Sequence, residues 1–176
     1  ILSLAVSLKN MTGLLGAAEY VGAVMDSASQ GLFMMLPAII FIVACILAFS
    51  TGTSWGTFGI LIPIVTAIFE VGDPLLMIGI SACLAGAVCG DHCSPISDTT
   101  IMASAGANVN HIDHVRTQLP YAITVAAISF VNFIIAGFVQ NVWICLPVAV
   151  VMTIAVLFIL RATIGKRVSV QAASEE

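Results

Sequence analysis

Long apolar stretches separated by short polar intervals make up most of this sequence. No Asp, Glu, Lys or Arg occurs between Asp26 and Glu70, or between Arg116 and Arg161. A helix crossing the hydrocarbon of a bilayer needs about 20 apolar residues, so each gap has room for two membrane segments. Residues 32–49 form a strong apolar segment containing Pro37, and 119–139 and 142–160 read as two spanning helices joined at Gln140 and Asn141. Residues 1–8 read as the end of a helix. Residues 12–26 carry Gly13, Gly16, Glu19, Gly22 and Asp26 among apolar residues and suit an interfacial helix. The strict alternation of a membrane barrel is absent.

Two segments depart from this pattern. Ser50-Thr51-Gly52-Thr53-Ser54-Trp55-Gly56-Thr57 has five hydroxyl-bearing residues and two glycines in eight. The apolar run that follows, 58–69, is only about 18 Å long as a helix. Glu70, Asp73 and Pro74 then mark a turn in water. Residues 31–70 therefore suit a re-entrant helical hairpin with its tip at 50–57. The second interruption is Gly90 to Thr100, between short apolar half-segments at 75–89 and 101–108, so 75–108 reads as one broken helix. Backbone without helical pairing is tolerated at membrane depth only where it is buried or lines a wet cavity. Paired interruptions of this kind point to a transporter binding site.

Composition supports lipid as the solvent. Hydrophobic residues make up 60% of the chain, charged residues 8%, and mean hydropathy is +1.15. A soluble domain carries roughly 25% charged residues. The net charge of −4 shows no basic patch and gives no case for nucleic acid. Five cysteines (45, 83, 89, 93 and 145) lie mostly in apolar runs and read as small buried hydrophobes rather than a disulfide framework. The chain starts with Ile and is apolar from residue 1, as expected of the continuation of a longer protein.

The chemistry of the interruptions suits a small hard cation. Carbonyls, hydroxyls and carboxylates are the oxygen ligands such ions prefer. Asp91 and Asp98 stand out, because an intramembrane carboxylate is costly and marks function by default. Apolar surroundings favour its neutral form and a bound cation favours its charged form, so one group can hold either a proton or a sodium ion. Thr53, Ser54, Thr57, Ser94, Ser97 and Thr99 are candidate hydroxyl or backbone ligands, and His92 a candidate proton partner. The bland alternative makes Asp98 a helix cap before Thr99 and Thr100. Cys89, Asp91, His92 and Cys93 could in principle hold zinc, but adjacent residues on one turn rarely converge on one ion. Gly52-Thr53-Ser54-Trp55-Gly56 fits the G-x-S-x-G pattern of serine hydrolases, which needs a strand before the serine, whereas helix is expected on both sides here. His111, Asp113 and His114 read as part of a solvated loop. No cofactor is expected, and no enzymatic activity.

Sidedness follows from Lys and Arg in short flanks. Arg161, Lys166 and Arg167 put the tail, 161–176, in the cytoplasm. The 140–141 turn is then outside, the Arg116 loop inside and the 70–74 turn outside.

The stretch Gly90-Asp91-His92-Cys93-Ser94-Pro95-Ile96-Ser97-Asp98-Thr99-Thr100, followed by His111-Ile112-Asp113-His114-Val115-Arg116-Thr117-Gln118-Leu119-Pro120-Tyr121, closely resembles the NhaC family of sodium/proton antiporters. Gly52 to Gly59 also looks like that family. The resemblance implies the fold of the wider ion-transporter superfamily, in which inverted repeats each carry a re-entrant hairpin and a broken helix. It implies exchange of sodium for protons at the plasma or inner membrane, and some relatives exchange organic acids such as malate or lactate, or amino acids, with these ions. Members of the family are more than twice this length. Residues 1–160 are thus expected to be the C-terminal part of an all-α polytopic antiporter domain. The expected partners are the lipid bilayer, the missing N-terminal half and, as an open assembly state, a second copy in a homodimer.

Overall fold

A computed structural model describes residues 30–172 continuously, with residues 3, 7, 10, 11, 13–16, 19, 20 and 23 before them. Side chains are described at those early residues and from residue 31 to 162. The expected helix end over 1–8 and interfacial helix over 12–26 fall mostly outside the described residues, as do the last four residues of the tail.

Among the described residues the chain is all-helical. Six helices follow in order: α1 (Gln30–Thr51), α2 (Ser54–Ile68), α3 (Pro74–Cys93), α4 (Asp98–Gly106), α5 (His111–Val139) and α6 (Val142–Ala172). Four of them, α1, α3, α5 and α6, are long and apolar enough to cross a membrane. Pro37, Pro63, Pro120 and Pro147 sit inside helices that continue past them.

Small residues bring α1 and α3 together. A Cβ added at Gly86 would collide with the Phe41 carbonyl, and one at Gly90 with the Cys45 carbonyl. One turn further on, the Ser94 hydroxyl donates to the Phe49 carbonyl at 2.7 Å. The matched positions advance together along both chains, so α1 and α3 are parallel. Close backbone approach at small residues is how helices associate when lipid removes the hydrophobic driving force. Ala44 and Ala48 of α1 and Ala82, Cys83 and Ala87 of α3 fill this interface and are fully buried.

Between these two helices in sequence, α2 runs back. Its end meets the start of α1, where Phe33 and Phe69 stack edge to face with ring centroids 5.3 Å apart. Val65 and Phe69 also close over Gly79. The turn to α3 uses Gly72 at φ +104°. Asp73 then caps α3, accepting from the Leu75 N–H at 2.8 Å, with Pro74 at the first helical position. α5 packs antiparallel to α1: Gly137 abuts the Met34 carbonyl and Phe133 lies 5.3 Å from Phe41. Gln140, in the left-handed region at φ 50°, ends α5, and α6 returns across the two-residue turn. The membrane-length window of α6 has no buried residue.

Three expectations change. α3 runs through Gly90, Asp91 and His92 to Cys93, so the second interruption is the four residues 94–97 rather than eleven. Gly90 is a packing glycine, not a breaker, and at 20 residues α3 is about 30 Å long, enough to span alone. His111 to Gln118 is the first two turns of α5 rather than a loop, because Asn110 caps it by accepting from the Ile112 N–H at 2.9 Å. The tail continues α6 as helix to Ala172 instead of leaving it at Arg161.

Candidate ion-binding site

The two breaks meet at one end of the α1–α3 pair. Proline forces the first of the changes that build the site. Pro95 disfavours helical geometry at the residue before it, and Ser94 is extended at φ −74°, ψ 129°. Residues 94–97 then form a turn with Pro95 second, closed by the Ser97 N–H on the Ser94 carbonyl at 3.4 Å. Ser97 is the N-cap of α4, its hydroxyl accepting from the Thr99 N–H at 3.2 Å.

In the other break, Gly52 adopts φ +65°, the left-handed conformation that closes α1, and Thr53 caps α2, its hydroxyl accepting from the Gly56 N–H at 3.4 Å. A side chain at Gly52 is excluded twice: by φ, and because a Cβ would stand 2.8 Å from Ile96 Cγ1 and 3.1 Å from the Ile96 carbonyl carbon. The break of the first hairpin therefore lies directly on the break that follows α3.

At this junction a carboxylate is buried. Asp91 is 4% exposed on the last turn of α3. Its Oδ1 accepts from the Ser97 hydroxyl at 2.7 Å, across the break. Ser97 Oγ also lies 2.7 Å from Thr99 Oγ1. Since the single Ser97 proton goes to Asp91, the Thr99 hydroxyl donates to Ser97. A chain of two hydroxyls thus points at the carboxylate. Ser94 and Ser97 are fully buried, and Thr100 anchors α4 to α3 by donating to the His92 carbonyl at 3.3 Å.

The other predicted residues stand apart from Asp91. Asp98 is exposed on the first turn of α4, where its Oδ1 accepts from the Thr99 N–H at 2.9 Å. That bond serves the helix start, with Ser97 as the cap proper. His92 is exposed and donates from Nδ1 to the Val88 carbonyl one turn back at 2.8 Å. It lines a cavity of about 440 Å³ between α1, α3 and α5, with Phe41, Cys89, Gln118 and Tyr121. Thr57 is buried and donates to the Thr53 carbonyl at 3.0 Å, while Ser54 is half-buried beside it on α2. Among the described residues no group of His, Cys, Asp and Glu is placed to hold a metal ion in the manner of zinc. The glycine–serine–glycine stretch 52–56 joins two helices and has no strand before it.

Reading the sequence missed the role of His111. The imidazole of this half-buried residue donates from Nε2 to the Pro95 carbonyl at 2.7 Å and has Nδ1 3.1 Å from Ser104 Oγ. The only signal was its position just after an Asn cap, which places it at a helix start beside whatever precedes that helix.

These features coincide with sequence similarity. Residues 1–138 match the family described as the Na+/H+ antiporter family. A Haemophilus influenzae protein without an assigned activity is 58% identical over 107 residues, 60% of this chain and 21% of the relative. The malate-2H(+)/Na(+)-lactate antiporter of Bacillus subtilis is 39% identical over 101 residues, 57% of this chain and 21% of the relative. The arginine/ornithine antiporter of Halobacterium salinarum is 37% identical over 112 residues, 61% of this chain and 23% of the relative. The matched part of the chain thus spans about a fifth of the length of these relatives. No solved structure matches. With most of its length matched, and with four helices of membrane length, this chain belongs to the Na+/H+ antiporter family.

Proposed function

We propose that the protein containing this chain is a secondary active transporter that exchanges sodium ions for protons, and that Asp91 is the group both compete for. The observation that carries this reading is a carboxylate 4% exposed at the junction of two helix breaks, accepting from the Ser97 hydroxyl at 2.7 Å. A carboxylate at membrane depth is costly and marks function, and it can bind either a proton or a small hard cation. Binding sodium at Asp91 then releases one proton, and binding a proton expels the ion. Ser97 and Thr99 supply the oxygens next to Asp91. Ser94, Thr53, Ser54 and Thr57 supply further hydroxyl or carbonyl oxygens from the two breaks, with Asp98 a second carboxylate at the edge and His92 a proton partner.

In this reading the α1–α2 pair is a re-entrant hairpin. The return of α2 to Phe33 and its length of 15 residues, about 22 Å, support it. The hairpin and α3–α4 form one of two inverted repeats, the other lying elsewhere in a longer polypeptide. The C-terminus is cytoplasmic, on the strength of Arg161, Lys166 and Arg167, and the lipid bilayer covers the apolar outer faces. The experiment is sodium-induced proton release from the purified full-length protein, compared between wild type and Asp91→Asn.

A second reading has support from the relatives named above: a sodium- or proton-coupled exchanger of an organic acid or an amino acid. Counter-flow of malate, lactate or arginine in proteoliposomes separates it from simple cation exchange.

A further inference from the structure

We propose that His111 is a positioning residue for the ion site, a clamp that fixes the break after α3 to the start of α5. The inference rests on the exchange reading above.

The Pro95 carbonyl sits inside the four-residue turn, where no helical N–H reaches it. His111 Nε2 donates to it at 2.7 Å. From the other side of the same ring, Nδ1 lies 3.1 Å from Ser104 Oγ, and Ser104 is buried in α4, its hydroxyl 2.8 Å from the Ile101 carbonyl. One imidazole thus joins three elements: the turn, α4 and α5. Its own backbone is fixed, because it is the first residue of α5 and Asn110 caps that helix.

The consequence falls on Asp91. Ser97 is two residues beyond Pro95 in the same turn, and it donates to the Asp91 carboxylate. A turn released at Pro95 loses the one side-chain hydrogen bond that ties it to α5 among the described residues, and keeps only its bonds to α1 and within itself to hold Ser97 at hydrogen-bonding distance. His111 touches neither Asp91 nor Ser97, so its effect is on where the ligands stand and not on the exchange step itself. Affinity for sodium should depend on it, and turnover at saturating sodium should not.

The test uses the full-length protein with two readouts. Sodium-dependent proton flux in proteoliposomes gives half-saturation and maximal rate; hydrogen exchange gives the opening of the Ile96 and Ser97 amides in detergent. His111→Ala should raise half-saturating sodium up to about tenfold, the upper end of what one hydrogen bond contributes, with the maximal rate within about twofold. It should also speed exchange at Ile96 and Ser97 about tenfold while leaving the amides of Ala44 and Ala48 unchanged. His111→Gln retains a donor for Pro95 and should restore both readouts to within about twofold. Unchanged exchange at Ile96 and Ser97 in His111→Ala overturns the clamp, as does acceleration spread equally over α1. Faster local exchange with unchanged sodium affinity overturns the positioning role. A wild-type protein whose flux ignores sodium overturns the exchange reading instead, and the amide readout still decides the clamp.

Discussion

Ser97 donates to Asp91 across the break that separates their two helices, at 2.7 Å. The bond ties the last turn of α3 to the cap of α4, so the geometry of the turn and the charge state of the carboxylate are linked. With Asp91 ionised, the Thr99 and Ser97 hydroxyls both point toward it.

Removing the Ser97 hydroxyl isolates that relationship. Ser97→Ala leaves Asp91 without its donor and α4 without its cap. A hydrogen bond to a charged group contributes about 1.5–3 kcal/mol, so apparent sodium affinity at fixed pH should fall about ten- to a hundredfold. Ser97→Thr keeps the hydroxyl and should retain most of the affinity. Isotherms of sodium-induced proton release on the full-length protein measure both. Equal losses in the two variants would show that packing, and not the hydroxyl, matters at this position.

The contact of the two breaks makes a prediction about stability. Gly52→Ala places a Cβ against Ile96 and holds a non-glycine residue at φ +65°. The left-handed conformation alone costs about 1–2 kcal/mol, and the overlap adds to it. The full-length protein in detergent should melt several degrees lower. Gly106→Ala is the control, since a Cβ there meets nothing within 4 Å. Matching melting temperatures for the two variants would contradict the apposition of Gly52 with Ile96.

Sidedness is tested by labelling. Gly72 lies in the exposed turn at the end of the bundle opposite the breaks. With the basic tail in the cytoplasm, a cysteine at Gly72 should react with an impermeant thiol reagent only from outside, and one at Lys166 only from the cytoplasm. The reverse pattern would invert the orientation while leaving the helix packing as described.

Much of this architecture is legible in the sequence, and the shortfalls have physical causes. The charge-free gaps mark the membrane helices, and the Pro- and Gly-containing polar stretches mark both breaks. Composition overstates their extents, because polar residues at membrane depth argue locally against helix. Asp91 and His92 are helical: α3 is held by packing of Gly86 and Gly90 against α1, and that tertiary contact has no local signature. The polar composition of 111–118 suggested a loop for the same reason, although Asn110 is a good cap. Asp91 and Asp98 look equivalent in sequence, seven residues apart. The turn at Pro95 separates them, burying one beneath Ser97 and leaving the other at the exposed start of α4. His111 reads locally as solvated, since nothing local says that a helix start will fold against a carbonyl sixteen residues earlier.

The central claim is that Asp91 carries sodium and proton in turn. Asp91→Asn keeps the size of the side chain and the Ser97 contact but removes the charge. The decisive measurement is proton release on adding sodium to the purified full-length protein, at a series of pH values from neutral to alkaline. Because sodium and the proton compete for Asp91 in this account, adding sodium to the wild type should release protons. Asp91→Asn should release no protons and support no sodium-driven flux at any pH in the series, while Asp98→Asn, if Asp98 contributes from the edge of the site, should also lose exchange. Wild-type proton release and flux in Asp91→Asn would contradict the account.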